Sequence, residues 1–380
     1  MYARRYKMNK TTLSNPVRSI AFFLTAIILA CTFGFTVDGW QMTDNDQNDN
    51  DQPPSEEIPN IGTGDEATDD PNDEQAPDEP EIYIPEYTSR LTGLEINEEM
   101  ANAITLAFVM SSDLPAYGVS SAEVICEFPT ETGETRLMAF IPECENLWKI
   151  GSITSTRGYM SNLAKYLGSA LVSNGCDDDM DYTKCDISNA HLDLSKNDGF
   201  HYTEYAKNVY TNRDMLISGL KNSDISSNKI DRSPLPFNHV EFGLKKIHFS
   251  DAIANEIRIG QDYTEMRYNE ETKQYSLFKE GNERLDALNG ETLRFENCFV
   301  LFADSVTYDN SDFNQMVMDT IGEGRGFYFT EGSYTEIFWT ASSGGIMTFY
   351  SLQGEKLTVN RGSSYISFVK SSLMDKIEIQ

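Results

Sequence analysis

Residues 322–341, GEGRGFYFTEGSYTEIFWTA, decide the fold class of the second half of the chain. They contain two short segments, GFYFTEG and YTEIFWT, that are rich in aromatic and β-branched residues and are bounded by turn residues, which is typical of β-strands. We therefore predict a β-rich antiparallel C-terminal domain over residues 238–380, folded as a barrel or sandwich. Further segments of the same kind occur at regular spacing: LKKIHFS (244–250), EMRYN (265–269), QYSLF (274–278), ENCFVLFA (296–303), IMTFYS (346–351), EKLTVN (355–360) and SYISFVK (364–370).

The glycines at the start of this stretch, GEGRG (322–326), superficially resemble a phosphate-binding loop. They precede a predicted strand instead of a helix, so no helix N-terminus is available to hold a phosphate. We therefore interpret the segment as a turn.

The first half of the folded region mixes strand and helix patterns. Apolar runs at 104–111, 122–128 and 135–141 predict strands, and the last two are separated by turn residues that suit a hairpin. A helical pattern over 158–171 places Met160, Leu163, Leu167 and Leu171 on one face. We predict a mixed α/β N-terminal domain over residues 89–225, so the fold class is α+β, and we place the boundary within the Ser- and Asn-rich stretch 221–237.

Charge excludes one class of function. The 380 residues contain 30 Lys and Arg against 60 Asp and Glu, which gives a net charge of −30 at pH 7. A chain this acidic would repel a phosphate backbone, so we exclude nucleic acid as a partner.

The amino terminus predicts export. Residues 1–19 carry five basic residues and no acid, and residues 20–37 are free of charge, which together form the n-region and apolar segment of a signal peptide or membrane anchor. The basic end stays in the cytoplasm, so everything after Val37 is expected on the extracytoplasmic face of the cell membrane. Ile28 to Cys31 has the form of a bacterial lipobox, with Cys31 as the lipidation site. An uncleaved helix of 18 residues, about 27 Å long, is the alternative anchor.

Residues 38–88 predict a disordered acidic linker. Between Thr43 and Glu81 there are fifteen Asp and Glu, six Pro, and no Lys, Arg or aromatic residue. Such a segment buries too little apolar surface to fold, and its charges repel one another and extend it.

Across residues 90–370 the sequence resembles the YerB-type lipoproteins of Gram-positive bacteria, a two-domain family of unknown function. The resemblance is carried by motifs in both halves: LPAYGVSSAEVICE (114–127), ETGETRLMAF (131–140), IGSITSTRGYM (150–160), KNVYTN (207–212), GEGRGFYFTEGSYTEIFWT (322–340) and TFYSLQGEKLTVNRGSSYISFV (348–369). It implies a membrane-anchored protein outside the cytoplasm.

The resemblance also implies a polar signature in each half. In the first half this signature includes Glu127, Glu131, Arg136, Ser155, Arg157, Asn208 and Tyr210, and in the second half it includes Tyr275, Asp286, Asn297, Gly326, Trp339 and Gly362. The chain departs from the family at Thr154 and Ser173, where an arginine and a histidine are expected, at Ala206-Lys207, where Pro-His is expected, and at Tyr365, where a tryptophan is expected. Loss of histidines removes proton-transfer groups and favours a binding protein over an enzyme.

Two hypotheses follow for the first half. Glu127 and Glu131 are the candidate catalytic residues of a wall-glycan hydrolase, which needs two carboxyl groups about 5–9 Å apart. An internal Glu–Arg bridge is the structural alternative, because Arg136 lies close by in the sequence. Arg136 and Arg157, together with Ser155, Asn208 and Tyr210, are instead candidates for binding an anionic or sugar ligand, since arginine offers a planar fork of donors.

We predict no metal and no cofactor. The four histidines form no His-x-x-x-His pair and the six cysteines form no Cys-x-x-Cys, so zinc lacks a local scaffold. Cys126 and Cys298 lie in apolar strand runs and are expected to be buried free thiols, and Cys176 and Cys185 are close enough in sequence to close a short disulfide loop.

The sequence thus predicts a membrane-tethered extracytoplasmic protein that binds cell-wall polymer or an envelope protein. A wall-glycan hydrolase is the alternative, and an acidic surface scaffold without a small ligand is a third hypothesis.

Overall fold

A computed structural model describes residues 82–380, apart from residues 132, 143, 145, 177–189, 197, 205–207, 233–234, 261–262, 311–312 and 343–345. The described residues belong to one compact unit, Pro77–Gln380. The predicted n-region, the anchor with Cys31 and most of the predicted linker lie outside the described residues. The last seven linker residues, 82–88, are described, and Thr88 already forms a β-bridge with Glu95.

Strands dominate, and the α-helices of the described residues are short. The helices are α1 (Glu98–Asn102), α2 (Gly158–Tyr166) and α3 (Arg213–Asn222). The strands of the first half are β1 (Leu106–Ser111), β2 (Val124–Pro129), β3 (Thr135–Ile141), β4 (Ile150–Ile153), β5 (Ala170–Ser173), β6 (His191–Asp193), β7 (Tyr202–Thr203) and β8 (Val209–Thr211). Those that follow are β9 (Asn238–His239), β10 (Glu256–Arg258), β11 (Glu265–Asn269), β12 (Gln274–Lys279), β13 (Asn282–Glu283), β14 (Arg294–Phe295), β15 (Asn297–Ala303), β16 (Ser305–Asn310), β17 (Phe313–Met318), β18 (Gly322–Thr330), β19 (Ser333–Ala341), β20 (Thr348–Ser351), β21 (Thr358–Val359), β22 (Ser364–Lys370) and β23 (Glu378–Ile379).

One large sheet contains strands from both halves of the sequence. Its order is β20-β19-β18-β15-β22-β2-β3-β1-β4-β8-β7, with β5 on β1 and β6 on β5. The junction is β22, which pairs in parallel with β15 on one side and with β2 on the other. The halves are therefore joined by backbone hydrogen bonds as well as by side-chain packing.

The central strands are apolar on both faces because both faces of the sheet are covered. All seven residues of β15, NCFVLFA, are buried. Cys298, Val300 and Phe302 belong to one hydrophobic cluster, and Phe299, Leu301 and Ala303 belong to the cluster on the opposite face. Alternation of this kind follows from the two-residue period of a strand.

A second sheet has the order β13-β12-β11-β10-β23, with β14 also paired to β12. Strands β11 and β12 form an antiparallel hairpin in which Met266 faces Leu277 and Tyr268 faces Tyr275. The buried Tyr275 hydroxyl donates to the backbone oxygen of Ala254.

The coarser fold prediction is confirmed, and several finer expectations need correction. Within the described residues, strand is far more abundant than α-helix, so the first half is more β-rich than a mixed α/β domain. The C-terminal half is not purely antiparallel, because β22 pairs in parallel on both sides. The helix predicted over 158–171 ends at Tyr166, since Gly168 adopts a φ of 60° and Leu171 already lies in β5.

The predicted turn at GEGRG is wrong, because these residues begin β18. A Cβ at Gly324 would lie 2.4 Å from the backbone oxygen of Phe302 and 2.5 Å from Nε1 of Trp339, and the Trp339 Nε1 donates to that same oxygen at 3.1 Å. Here glycine permits the close approach of a neighbouring strand and a tryptophan ring instead of making a turn.

Candidate functional site

Glu127 is fully buried on β2 and is surrounded by donors. Thr135 donates to its Oε1 at 2.7 Å, and Thr264 donates from its hydroxyl to Oε1 at 2.9 Å and from its backbone nitrogen to Oε2 at 3.2 Å. The Tyr365 hydroxyl donates to Oε2 at 2.5 Å, and Arg284 Nη1 lies 3.7 Å from Oε1. The carboxylate is therefore satisfied entirely by groups from both halves of the chain.

This arrangement gives the catalytic hypothesis for Glu127 no support, because an acid that protonates a glycosidic oxygen must reach its substrate. The same contacts explain why the Tyr365 phenol stays protonated. Burial, and then the adjacent Glu127 charge, raise the pKa of the Tyr365 phenol well above its usual value, so the hydroxyl remains a donor.

Glu131 is paired with a cation. Its Oε1 accepts a hydrogen bond from Arg157 Nη2 at 2.9 Å, and both side chains are largely buried. Arg157 is the N-cap residue of α2. The internal Glu–Arg bridge that we considered as the alternative to catalysis thus exists, and the partner of Glu131 is Arg157 instead of Arg136.

Arg136, on β3, lies beside this pair. Its Nη1 donates to the backbone oxygen of Ser155 at 2.7 Å, and no carboxylate of the described residues lies within 4.0 Å of its guanidinium group. Burial, followed by the nearby Arg157 charge, lowers the pKa of Arg136 to about 10, while Tyr159, Glu131 and Glu134 act in the opposite direction. Two guanidinium groups thus lie close together, and Glu131 and Glu134 partly offset the charge of Arg136.

Tyr159 completes the cluster. It is 5% exposed, and its hydroxyl has no hydrogen-bond partner among the described residues. Burial raises its pKa to about 12, against the effect of Arg157 and Arg136, so the hydroxyl is protonated at neutral pH. We refer to Glu131, Arg136, Ser155, Arg157 and Tyr159 as the arginine cluster.

Tyr210 lies elsewhere. Its ring contacts that of Tyr117 with centroids 5.7 Å apart, and Lys149 Nζ lies 4.2 Å from the Tyr210 ring centroid and 4.0 Å from that of Tyr117. Lys149 also forms an ion pair with Glu204 at 2.7 Å. This is a closed cation–π arrangement that uses Tyr210 to hold a lysine of the protein itself.

Of the predicted binding residues, Arg136, Ser155 and Arg157 are brought together. Asn208 directly precedes β8, the strand that contains Tyr210, and its backbone oxygen accepts from the Glu204 nitrogen at 3.0 Å. Tyr159 was missed by the sequence analysis. Tyr159 lies two positions after Arg157, a predicted binding residue, and this closeness in sequence could have identified it as a candidate.

The polar signature of the second half is structural. Both oxygens of the fully buried Asp286 accept from residues of the first half: Gly118 N at 2.9 Å, Ser120 N at 2.8 Å and Ser120 Oγ at 2.6 Å. Asn297 accepts from the Tyr328 hydroxyl at 2.7 Å. These residues join segments of the fold and leave no polar atom directed at solvent.

Within the described ranges, no group of three or more His, Cys, Asp and Glu could hold a metal ion. The helices of those ranges include none that is long and apolar enough to cross a membrane. Cys31 lies outside the described residues, and Cys126 and Cys298 are buried free thiols, as predicted.

Comparison with known proteins identifies the family. Models of the N-terminal and C-terminal domains of "Protein of unknown function (DUF3048)" match residues 91–226 and 256–366. The crystal structure of the YerB protein from Bacillus subtilis superposes with a TM-score of 0.66 at 18% identity, covering 77% of this chain and 99% of that one. No curated protein matches the chain significantly. The chain therefore belongs to the YerB-type two-domain family of unknown function.

Proposed function

We propose that this protein is a membrane-tethered extracytoplasmic binding protein whose arginine cluster holds an anionic group of cell-wall polymer or of an envelope protein. The observation that carries this proposal is Arg136, a largely buried cation without a carboxylate contact among the described residues, placed beside a second arginine.

A buried cation is costly unless it is paired, and a second cation beside it increases the cost. The lowered pKa of Arg136 expresses this cost. A bound phosphate or carboxylate would stabilise the charged form, because guanidinium groups bind such oxygens with two parallel hydrogen bonds.

Tyr159 supports the same conclusion. A buried hydroxyl without a partner loses the free energy of a hydrogen bond, and such groups are rare unless a ligand or water completes them. Its hydroxyl lies within electrostatic reach of both guanidinium groups and is protonated at neutral pH, so it is available as an additional donor.

Glu131 is a carboxylate partner of Arg157. It neutralises part of the charge of Arg157 through the 2.9 Å contact, so an anionic group of a ligand would pair with Arg136. The cell-surface location rests on the basic and apolar segments at residues 1–37 and on the family resemblance.

Co-sedimentation with insoluble wall polymer tests this function. We expect the full-length protein to pellet with the polymer, Arg136→Gln and Arg157→Gln to reduce the pelleted fraction, and Arg325→Gln, which removes an exposed arginine, to leave it unchanged. Polymer stripped of its phosphodiester chains separates phosphate from carboxylate recognition. Soluble sugar is measured in the same tube, and its release by the protein would support the hydrolase instead.

Failure of the wild-type protein to pellet with intact polymer would direct the test to envelope proteins, with the same three variants as probes. If Arg325→Gln weakened binding as much as Arg136→Gln, general charge and not the arginine cluster would be responsible, and the proposal would be wrong.

A further inference from the structure

A cavity of about 480 Å³ opens between the two halves of the chain. The first half contributes the segment around Ser120, and the second half contributes Gln274, Ser363 and residues 291–295. Its volume lies within the range of about 300–1,000 Å³ typical of small-molecule sites, which occur preferentially where two parts of a fold meet. None of these residues belongs to the arginine cluster, so the cavity is independent of the function proposed above.

The walls are held in place by buried polar contacts. Ser120 is fixed by the carboxylate of Asp286, to which it donates at 2.6 and 2.8 Å. On the other side, Glu296 accepts from Gln274 Nε2 at 2.8 Å and from the Ser363 nitrogen and hydroxyl at 2.8 and 2.9 Å. The cavity is therefore preformed, and a ligand would not have to order it.

The floor is apolar. Leu293 and Phe295 are each 3% exposed, and the Phe295 ring packs against that of Tyr365 with centroids 5.8 Å apart. Through Tyr365 the floor is continuous with the Glu127 hydrogen-bond network, which keeps this wall rigid.

The rim carries opposite charges that do not pair. Arg294 and Glu291 both line the cavity and are exposed, and neither forms an ion pair with another described residue. An apolar floor, fixed amide and hydroxyl groups on the walls, and one cation and one anion at the rim match a ligand with a carboxylate and an ammonium group.

We propose that this cavity binds a short peptide with free termini, with Arg294 pairing with its carboxylate and Glu291 with its amino group. The peptide backbone has the donors and acceptors that complement Gln274 and Ser363, and small side chains fit the floor formed by Leu293 and Phe295.

Calorimetric titration of the full-length protein with the dipeptide Ala-Ala tests this inference, with N-acetylated and C-amidated Ala-Ala as matched probes. We expect saturable binding of the free dipeptide. Arg294→Gln and Glu291→Gln should each weaken it by about tenfold or more, as expected for loss of a charged hydrogen bond.

The blocked probes provide the internal check. The amidated dipeptide should be insensitive to Arg294→Gln, and the acetylated dipeptide should be insensitive to Glu291→Gln. Thr292→Trp, which fills the cavity at a position between the two charges, should abolish binding of every probe, whereas Arg325→Gln should change nothing.

Absence of binding by the folded wild-type protein at millimolar dipeptide would overturn the inference. So would binding that Thr292→Trp leaves intact, because the peptide would then occupy another surface. Wall-polymer binding through the arginine cluster is unaffected by either outcome.

Discussion

The phenol of Tyr365 donates a 2.5 Å hydrogen bond to the carboxylate of Glu127, although the two residues are 238 positions apart in the chain. Tyr365 lies on β22 and Glu127 on β2, which are parallel neighbours in the large sheet. Backbone pairing brings the two side chains into the same buried layer, and Thr264 reaches the same carboxylate from the segment that precedes β11. Glu127 is thus a point at which three distant parts of the sequence meet.

Removing the Tyr365 hydroxyl should therefore destabilise the fold. In Tyr365→Phe the buried Glu127 carboxylate loses one donor, and we expect the free energy of unfolding to fall by about 1–3 kcal/mol, as for other buried groups left short of a partner. Urea denaturation at pH 7 measures this free energy of unfolding. Tyr350→Phe, whose hydroxyl makes no hydrogen bond to a described residue, is the control, and equal stability of the two variants would contradict the structural role of Glu127.

Asp286 should act in the same way on the wall of the inter-half cavity. Asp286→Ala leaves Gly118 N and Ser120 N without their acceptor, so we expect a loss of about 2–4 kcal/mol and faster amide exchange at residues 118–120. Hydrogen exchange followed by mass spectrometry locates the change. Asp251→Ala, at an exposed position, is the control and should leave amide exchange at residues 118–120 unchanged. If these amides remained protected from exchange in Asp286→Ala, other contacts would hold this segment and the prediction would be wrong.

The sequence predicts the strands well because local residue type determines them. Segments such as NCFVLFA and SYISFVK are apolar enough to be strands in any β-rich arrangement. Their partners are not predictable in this way. The parallel pairing of β22 with both β15 and β2 depends on long-range packing, and no local pattern distinguishes a parallel ladder within a mixed sheet from an antiparallel one.

In the candidate site, too, the sequence indicates the chemistry of a residue but not its surroundings in the fold. Arginines at 136 and 157 were recognised from their chemistry and from the family resemblance, and the fold brings them together. Glu127 has the same residue type as an exposed catalytic acid, but only the fold reveals that it is enclosed by Thr135, Thr264 and Tyr365. Tyr210 likewise has the chemistry of a ligand-binding ring and instead holds Lys149.

Gly324 tests the corrected interpretation of GEGRG. A methyl group there would meet the Phe302 backbone oxygen and the Trp339 ring, neither of which can move freely inside the sheet. We expect Gly324→Ala to cost about 1–3 kcal/mol of stability, as for other overpacked positions. Gly199→Ala, where nothing lies within 4 Å of the added carbon, is the matched control in thermal denaturation. If the segment were an exposed turn with space for a methyl group at position 324, both variants would be equally stable.

His239 makes stability depend on pH in a direction that the structure determines. Burial lowers its pKa from 6.5 to about 4, with Arg361 acting in the same direction and a hydrogen bond to the Leu91 backbone opposing it. The histidine therefore stays neutral in the folded state at a pH where the unfolded chain already binds a proton. Because the unfolded state binds more protons, stability falls as the pH drops below about 6.5, and this contribution is fully lost near pH 4.

We expect the His239 contribution to amount to about 1–3 kcal/mol between pH 7 and pH 4.5, reduced from the ideal value because the ring is partly reached by solvent. Urea unfolding across this range should give a smaller loss of stability for His239→Gln than for the wild type. His248→Gln, which changes an exposed histidine, should keep the wild-type pH dependence. Identical slopes for wild type and His239→Gln would mean that the ring takes up its proton without unfolding, in contradiction to its buried position against Gly93 and Phe237.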